Sequence, residues 1–164
     1  DLDMKLVYDV AHNIAKVEKH KVDGSDRNLV VHRKGATRAF PANRNEIPSK
    51  YRDLGQPVLV PGSMGTASWI LLGQPNSMNL SFGSTAHGAG RTMSRSKARR
   101  NFTEDNVKKS LNEKCIFIKA LTRDGIVEET PQAYKDVDSV VNVSHNLGIS
   151  TKVAKLVHIG VIKG

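Results

Sequence analysis

Residues 83–91 read Gly-Ser-Thr-Ala-His-Gly-Ala-Gly-Arg, so that one imidazole stands among residues that are almost all small. Glycines at 83, 88 and 90 allow backbone conformations and close approaches that a Cβ forbids, and successive amide N–H groups can then wrap an anion. His87 would sit against that anion, where a neutral imidazole serves as a ligand, a general acid or base, or a nucleophile that forms a phosphoramidate. Downstream, Arg91, Arg95 and Arg99 recur every four residues, which aligns three guanidiniums on one face of a helix and suits a polyanion. Glycine-rich turns and solvated basic faces use the same letters, so spacing alone leaves those readings open.

The elements that must hold these residues follow from pattern. Apolar and β-branched residues from Leu6 to Val22, a turn at 23–26 and a return through Asn28 to His32 predict a hairpin, with His12 and Asn13 in its first arm. His32-Arg-Lys-Gly-Ala-Thr-Arg38 then gathers Arg33, Lys34 and Arg38 around a glycine between extended segments, a place where strand ends present cations to phosphates. Residues 41–53 read as a connecting loop with room for one helical turn. Pro57-Val-Leu-Val-Pro61 reads as a short buried strand that empties into Gly62, Ser63, Met64, Gly65, Thr66, Ala67 and Ser68, after which Trp69 to Leu72 form another strand. A strand running into Gly and Ser offers amides and hydroxyls to a nucleotide, although tight hairpins do the same. Residues 73–78 read as a polar turn, and Thr103 with Glu104 and Asp105 as the start of a helix that runs to Lys114. Cys115 to Leu121 is predicted as a strand with its thiol buried, 123–125 as a turn, 126–130 as a brief strand, 131–147 as a helix with Gly148 past its end, and 150–162 as a closing strand. The fold class expected is α+β, with mixed sheets, hairpins and a few helices in one domain spanning 1–164.

Composition narrows the partners. Twenty-five Lys and Arg against sixteen Asp and Glu leave a formal charge of +9, which favours anionic partners; nucleic acid, nucleotide and acidic membrane all satisfy the electrostatics. A single Cys rules out a disulfide within the chain and fits a reducing, cytoplasmic setting. No run of about eighteen apolar residues occurs, so no membrane partner is expected.

Taken together, 83–91, Tyr8-Asp-Val-Ala-His-Asn13, the 32–38 stretch, Pro61-Gly-Ser-Met-Gly65, Ala133-Tyr-Lys-Asp-Val137 and the terminal Gly160-Val-Ile-Lys-Gly164 resemble the RtcB family of RNA-splicing ligases. The resemblance covers essentially the whole chain and is to the C-terminal portion of that family. It implies a GTP- and manganese-dependent RNA ligase that joins an RNA 3′-phosphate or 2′,3′-cyclic phosphate to a 5′-hydroxyl. His87 would be the nucleophile. His12 would hold one of two Mn2+ ions and Asn13 would touch the nucleotide phosphates. Pro61, Gly62, Ser63, Met64 and Ser68, together with Gly88, Ala89 and Gly90, would bind GTP, with Tyr134 as a wall of the guanine pocket and Lys163 holding the base. Arg33, Lys34, Arg38, Arg91 and Arg95 would contact RNA or its terminal phosphate. The implied partners are GTP and broken RNA such as tRNA halves, and an activating protein is a further partner to look for.

The family's upstream Asp and Cys metal ligands, its Asn-His-Phe-Ala-Glu segment and a further ligand His have no counterparts here. The chain is therefore expected to be the C-terminal part of a longer ligase, with a short relative as the alternative, and to be inactive alone. Two other classes remain open: a phosphohistidine transfer domain, which also sets a His among small residues, and a non-catalytic nucleic-acid-binding fragment, for which the charge suffices.

Overall fold

The computed structural model describes residues 3–11 and 13–163. Strands β1 (Asn13–Val22) and β2 (Ser25–Lys34) form the expected antiparallel hairpin. Asp23 and Gly24 both have positive φ, 50° and 78°, which is the two-residue turn that matches the twist of the flanking strands. Extended pairing begins at Asn13; residues 3–11 carry no strand. The hairpin's inward face is unusual, since Glu18, His20 and Arg33 are its buried members while Val17 and Val30 on the other face are each 72% exposed.

Gly35, with φ of 73°, bends the chain out of the hairpin into β3 (Ala36–Arg38). A connecting loop with one 3-10 turn at Ser49–Tyr51 leads to β4 (Pro57–Pro61), as the pattern predicted, and to β5 (Ala67–Gly73), which takes in Ala67 and Ser68 of the expected loop and Gly73 of the expected turn besides the predicted 69–72. With β8 (Ser150–Val157) they make a three-stranded antiparallel sheet in the order β4-β5-β8. The two prolines of β4 sit at its ends and on the sheet edge, where the missing N–H groups cost least. Helix α5 (Val137–Asn146) lays Val137 and Val141, one turn apart, onto Val58, Val60, Ala67 and Leu71 of this sheet. This is the first core.

A short helix, α1 (Asn76–Ser81), stands where a polar turn was expected, and it leads into β6 (Ser84–Ala86), which pairs antiparallel with β3. Gly83 at the junction has φ of 63°, and a Cβ there would lie 2.4 Å from the Phe40 ring. Helix α2 (Arg95–Asn101) follows, capped by Ser94, and α3 (Glu104–Asn112), capped by Thr103 with Glu104 and Asp105 in its first turn, matches expectation. Its Val107 and Leu111 form the second core with Met64, Ile116 and Ile126.

Four expectations change in the last third. Residues 123–128 are helix α4 (Arg123–Glu128), not a turn and strand, because Thr122 accepts the Gly125 N–H as an N-cap and Ile126 and Val127 are both buried. The 131–147 helix is divided: Tyr134 is extended and bridges to Arg91, and Asp136 restarts the helix by accepting the N–H groups of Asp138 and Ser139. The closing strand also divides at His158, after which β9 (Gly160–Lys163) leaves the antiparallel sheet and pairs in parallel with β7 (Phe117–Ala120). Cys115, expected to be buried, is exposed, since the chain turns there with φ of 56° before Ile116 enters the core. The α+β class with small sheets is as expected.

Gly83→Ala should destabilise the chain by more than Gly24→Ala, which has open space around it. Both incur the left-handed penalty of about 1–2 kcal/mol, and only the first also meets a ring. Denaturant midpoints of the two variants compared with the native chain check this.

Candidate active site

His87 leaves the end of β6 and is half-buried. The loop behind it is clipped on both sides. Ala89 N–H donates to Pro61 O at 2.9 Å, Lys135 N–H donates to Gly90 O at 2.9 Å, and Thr92 N–H donates to Ala133 O at 2.8 Å. The His87 loop is thus fastened between the end of β4 and residues 133–135. His87, Leu59, Pro61, Val10 and Ala11 line a mainly apolar cleft of about 280 Å³. His12, the expected metal ligand, follows Ala11 in the chain and lies outside the described residues.

The second loop closes tightly on itself. Gly62 N–H donates to Ala67 O at 2.9 Å, and a Cβ on Gly62 would lie 2.4 Å from that oxygen, so only glycine fits. Ser63 N–H donates to Thr66 Oγ1, and the two hydroxyls lie 3.1 Å apart. The side chains of Ser63 and Met64 are buried, Met64 in the second core, so what they offer outward is backbone. Pro61 is exposed and Gly62 half-buried. Ser68, also half-buried, shares a hydrogen bond with His158 Nε2 at 3.2 Å. The structure therefore joins Pro61, Gly62, Ala89 and His87 in one place through the Ala89–Pro61 bond.

The expected cations divide into three kinds. Lys34 is exposed at the open end of the hairpin, across from exposed Asn13. Arg38 donates to Gln56 Oε1 at 3.0 Å and Glu46 O at 3.1 Å and lies over the Phe40 ring. Arg33, expected at RNA, is instead 1% exposed: it donates to both Glu18 oxygens at 2.7 and 2.8 Å, to Ser84 Oγ at 2.8 Å and to Phe82 O at 2.9 Å. Its guanidinium is committed to the interior.

The arginine row also differs from expectation. Ser94 caps α2, which leaves Arg91 ahead of the helix, yet the three guanidiniums still converge, because Glu128 and Glu129 at the end of α4 draw them together. Arg91 lies 3.4 Å from Glu129 Oε1 and donates to Glu128 O at 2.7 Å. Arg95 Nε lies 3.3 Å from Glu128 Oε2 and 3.5 Å from Glu129 Oε1, and Arg99 pairs with Glu128. Tyr134 joins this cluster: its hydroxyl donates to Glu129 and accepts from Arg91 at 3.0 Å, and the Arg91 guanidinium lies 4.9 Å from its ring centroid. Burial and the Glu129 carboxylate together push the Tyr134 phenol above its usual range, against the pull of Arg91. Lys163 ends β9, and its carbonyl accepts from Leu121 N–H at 3.1 Å, so the tail is tied into the fold.

Sequence reading missed Glu18, Glu128, Glu129 and His158. Glu18 and His20 in alternate positions of one strand were the visible signal for a polar inward face. The adjacent Glu128 and Glu129 were a signal too, being an acidic pair of the right sign for the arginine row.

No three His, Cys, Asp or Glu side chains converge to hold a metal ion among the described residues. His12, the one metal ligand that the resemblance implies in this chain, lies outside those residues.

By fold this is a mixed α+β chain, and the proteins it is similar to are ligases by name. The family model described as "tRNA-splicing ligase RtcB" matches residues 1–164. Relatives bearing that name include those of Archaeoglobus fulgidus, 56% identical over 164 residues, Methanococcus maripaludis, 54% identical over 164 residues, and Nanoarchaeum equitans, 53% identical over 163 residues. These alignments cover 99–100% of this chain and 34% of each relative, so the chain spans about a third of the length of the curated relatives it matches. The chain belongs to the RtcB family.

The Glu18 carboxyl generates a pH prediction. Burial alone would raise its pKa, but the hydrogen bonds from Arg33 and His20 and the Arg33 charge outweigh it and hold the carboxyl below 4.5. A depressed carboxyl contributes stability that is present above the unfolded value and lost as pH falls through the folded one. The stability gap between the native chain and Glu18→Gln should therefore be full near pH 7 and shrink below about pH 4.5, as read from urea midpoints across that range.

Proposed function

We propose that His87 accepts GMP from GTP and passes it to an RNA end within a full-length 3′-phosphate/5′-hydroxyl RNA ligase. The observation that carries this reading is that the whole chain matches proteins named tRNA-splicing ligase RtcB while its His87 loop is clipped, through Ala89 and Pro61, to a second glycine loop. In the first step a bond forms between a ring nitrogen of His87 and the α-phosphorus, the bond to pyrophosphate breaks, and the imidazole gives up its proton. In the second, an oxygen of the RNA 3′-phosphate takes the GMP, the phosphorus–nitrogen bond breaks and the imidazole takes back a proton. In the third, a 5′-hydroxyl attacks the activated 3′-phosphorus, loses its proton and expels GMP.

Around that centre, Pro61, Gly62, Ser63 and Met64 would meet the nucleotide mainly through backbone, and Ser68 through its hydroxyl. Gly88, Ala89 and Gly90 would give backbone room and Asn13 a polar side chain. Tyr134 would supply a half-buried ring for the guanine and Lys163 a tethered ammonium. Exposed Lys34 with Arg38, Arg91 and Arg95 would meet RNA phosphates, and +9 overall charge favours that encounter. At Arg95 the phosphate would take the place of the Glu128 carboxylate, since both present oxygens to the same guanidinium. RNA with broken ends, tRNA halves among them, is the substrate on this reading, and the cytoplasm the place of work. No helix among the described residues is long and apolar enough to cross a membrane.

The deciding experiment uses a full-length protein in which these 164 residues replace the matching third of the Archaeoglobus relative. After treatment with GTP and manganese, mass spectrometry should find GMP on the peptide containing His87, with label retained from α-labelled and not γ-labelled GTP. His87→Ala should abolish ligation and leave the fold intact. A γ-phosphate adduct would instead mark phosphate relay, and a stable adduct on another residue would remove His87 from the reaction.

In the same protein, Arg95→Ala should weaken RNA binding and lower its salt slope by about one unit, as loss of one phosphate contact requires. Glu128→Gln should shift RNA affinity the other way. Affinity unchanged in both would leave the arginine cluster a purely internal feature.

A further inference from the structure

The buried charge beneath the His87 loop has no part in the reaction just described, and the loop hangs from it. Arg33 is buried on the hairpin's inward face and reaches across to three consecutive residues: it donates to Phe82 O at 2.9 Å, to Gly83 O at 3.4 Å and to Ser84 Oγ at 2.8 Å. Its other N–H groups form a two-pronged bond to Glu18, whose second oxygen also meets His20 Nε2 at 3.1 Å. The contacted segment is strained. Phe82 has φ of 49° and ψ of 48°, the left-handed conformation that a bulky residue adopts only when its surroundings impose it. Burial does not impose it, because Phe82 is 46% exposed. The restraints on it include Arg33 and Ser84 Oγ donating to its carbonyl at 2.9 and 3.2 Å, the His20 ring edge-on at 5.4 Å, the Gly83 N–H donating to Ser77 O at 2.8 Å and the Ala39 N–H donating to Gly83 O at 2.7 Å; of these, Arg33 alone ties the turn by hydrogen bonds to the hairpin's buried carboxylate. β6 begins two residues later, pairing Ser84 with Arg38 and Ala86 with Ala36, and His87 follows at once.

We propose that Arg33, held by Glu18, is the positioning residue for His87: it fixes the strained Phe82–Gly83 turn, and so sets the register of β6 and the place of the imidazole at its end. A guanidinium suits this task because its planar fork serves a carboxylate on one side and carbonyl and hydroxyl oxygens on the other at once. A lysine ammonium would reach only part of that set. The catalytic consequence rests on His87 being the GMP acceptor, whereas the holding of the loop does not.

Two measurements separate these. In the 164-residue chain, Arg33→Lys should accelerate hydrogen exchange of the amides at 84–88 at least about tenfold while β4, β5 and α5 keep their protection. Adding Phe82→Asn, which tolerates the left-handed conformation, should restore most of that protection, a rescue that general loss of core stability would not show. In the full-length chimera, Arg33→Lys should slow GMP attachment at least about tenfold and by a larger factor than it raises KM for GTP, because it misplaces the nucleophile more than the nucleotide, which the 61–68 loop also holds on this reading. Unchanged exchange at 84–88, exchange raised evenly across all elements, or full attachment rate with Lys at 33 would each overturn the proposal. Should Arg33→Lys fail to fold, Glu18→Gln gives the same reading, with faster exchange confined to 84–88 as the supporting result and even or absent change as the overturning one. If the unaltered chimera takes up no GMP, the nucleotidyl-transfer reading falls and the exchange comparison still decides the role of Arg33.

Discussion

The Glu18–Arg33 pair is the constraint on which the rest of the molecule's arrangement depends. Removing both charges from water costs several kcal/mol per ion, and such a pair recovers that only with near-complete hydrogen bonding. Here it is recovered by connecting parts: the carboxylate lies on β1, the guanidinium on β2, and the remaining donors reach the junction of α1 and β6. A hydrophobic pair of similar volume would fill the same space without caring which carbonyl it faced. The charged pair accepts one alignment of hairpin and loop, and truncating either partner would leave the other buried and alone at a cost of about 3–5 kcal/mol.

That same pair explains where sequence reading stopped. The strands Pro57–Pro61 and Ala67–Gly73, the Asp23-Gly24 turn and the Thr103 cap are local matters of β-branching, glycine and a side-chain oxygen, and all were legible. The basic stretch at 32–38 was legible only as charge. Whether an arginine faces water or a carboxylate depends on strand register and on Glu18, fifteen residues away in sequence, which no local pattern encodes. The helix at 123–128 was lost to Gly125, read as a turn residue, although the Thr122 cap and buried Ile126 and Val127 outweigh it. The break at Tyr134 comes from its bridge to Arg91, a contact across the fold. Within the candidate site the glycine loops and His87 stood out, while the acids that organise the arginines did not.

Charge balance at the arginine cluster differs from the whole-chain total. Although the chain carries +9, the arginine row is partly offset, as Glu128 and Glu129 serve Arg91, Arg95 and Arg99 together. An anion arriving there would meet partly exposed arginines that already have partners, so its binding would be an exchange of oxygens that favours ligands able to outcompete a carboxylate. Lys34 and the other exposed cations remain the longer-range attraction.

The 62–66 loop is pinned at several points: Gly62 to Ala67, Met64 in the second core, Gly65 packed so that a Cβ would strike Pro131 at 2.5 Å, and the Gly65 carbonyl accepting from Lys114 at 2.8 Å. Each anchor sits on a different neighbour, so one inserted or deleted residue would put every later anchor out of phase. Drift in this segment is therefore confined to substitution. Among descendants of this sequence, loop length should persist after many of the letters have changed, and a change in spacing between the β4 proline and Ala67 would mark a lineage in which the two cores no longer share a hinge.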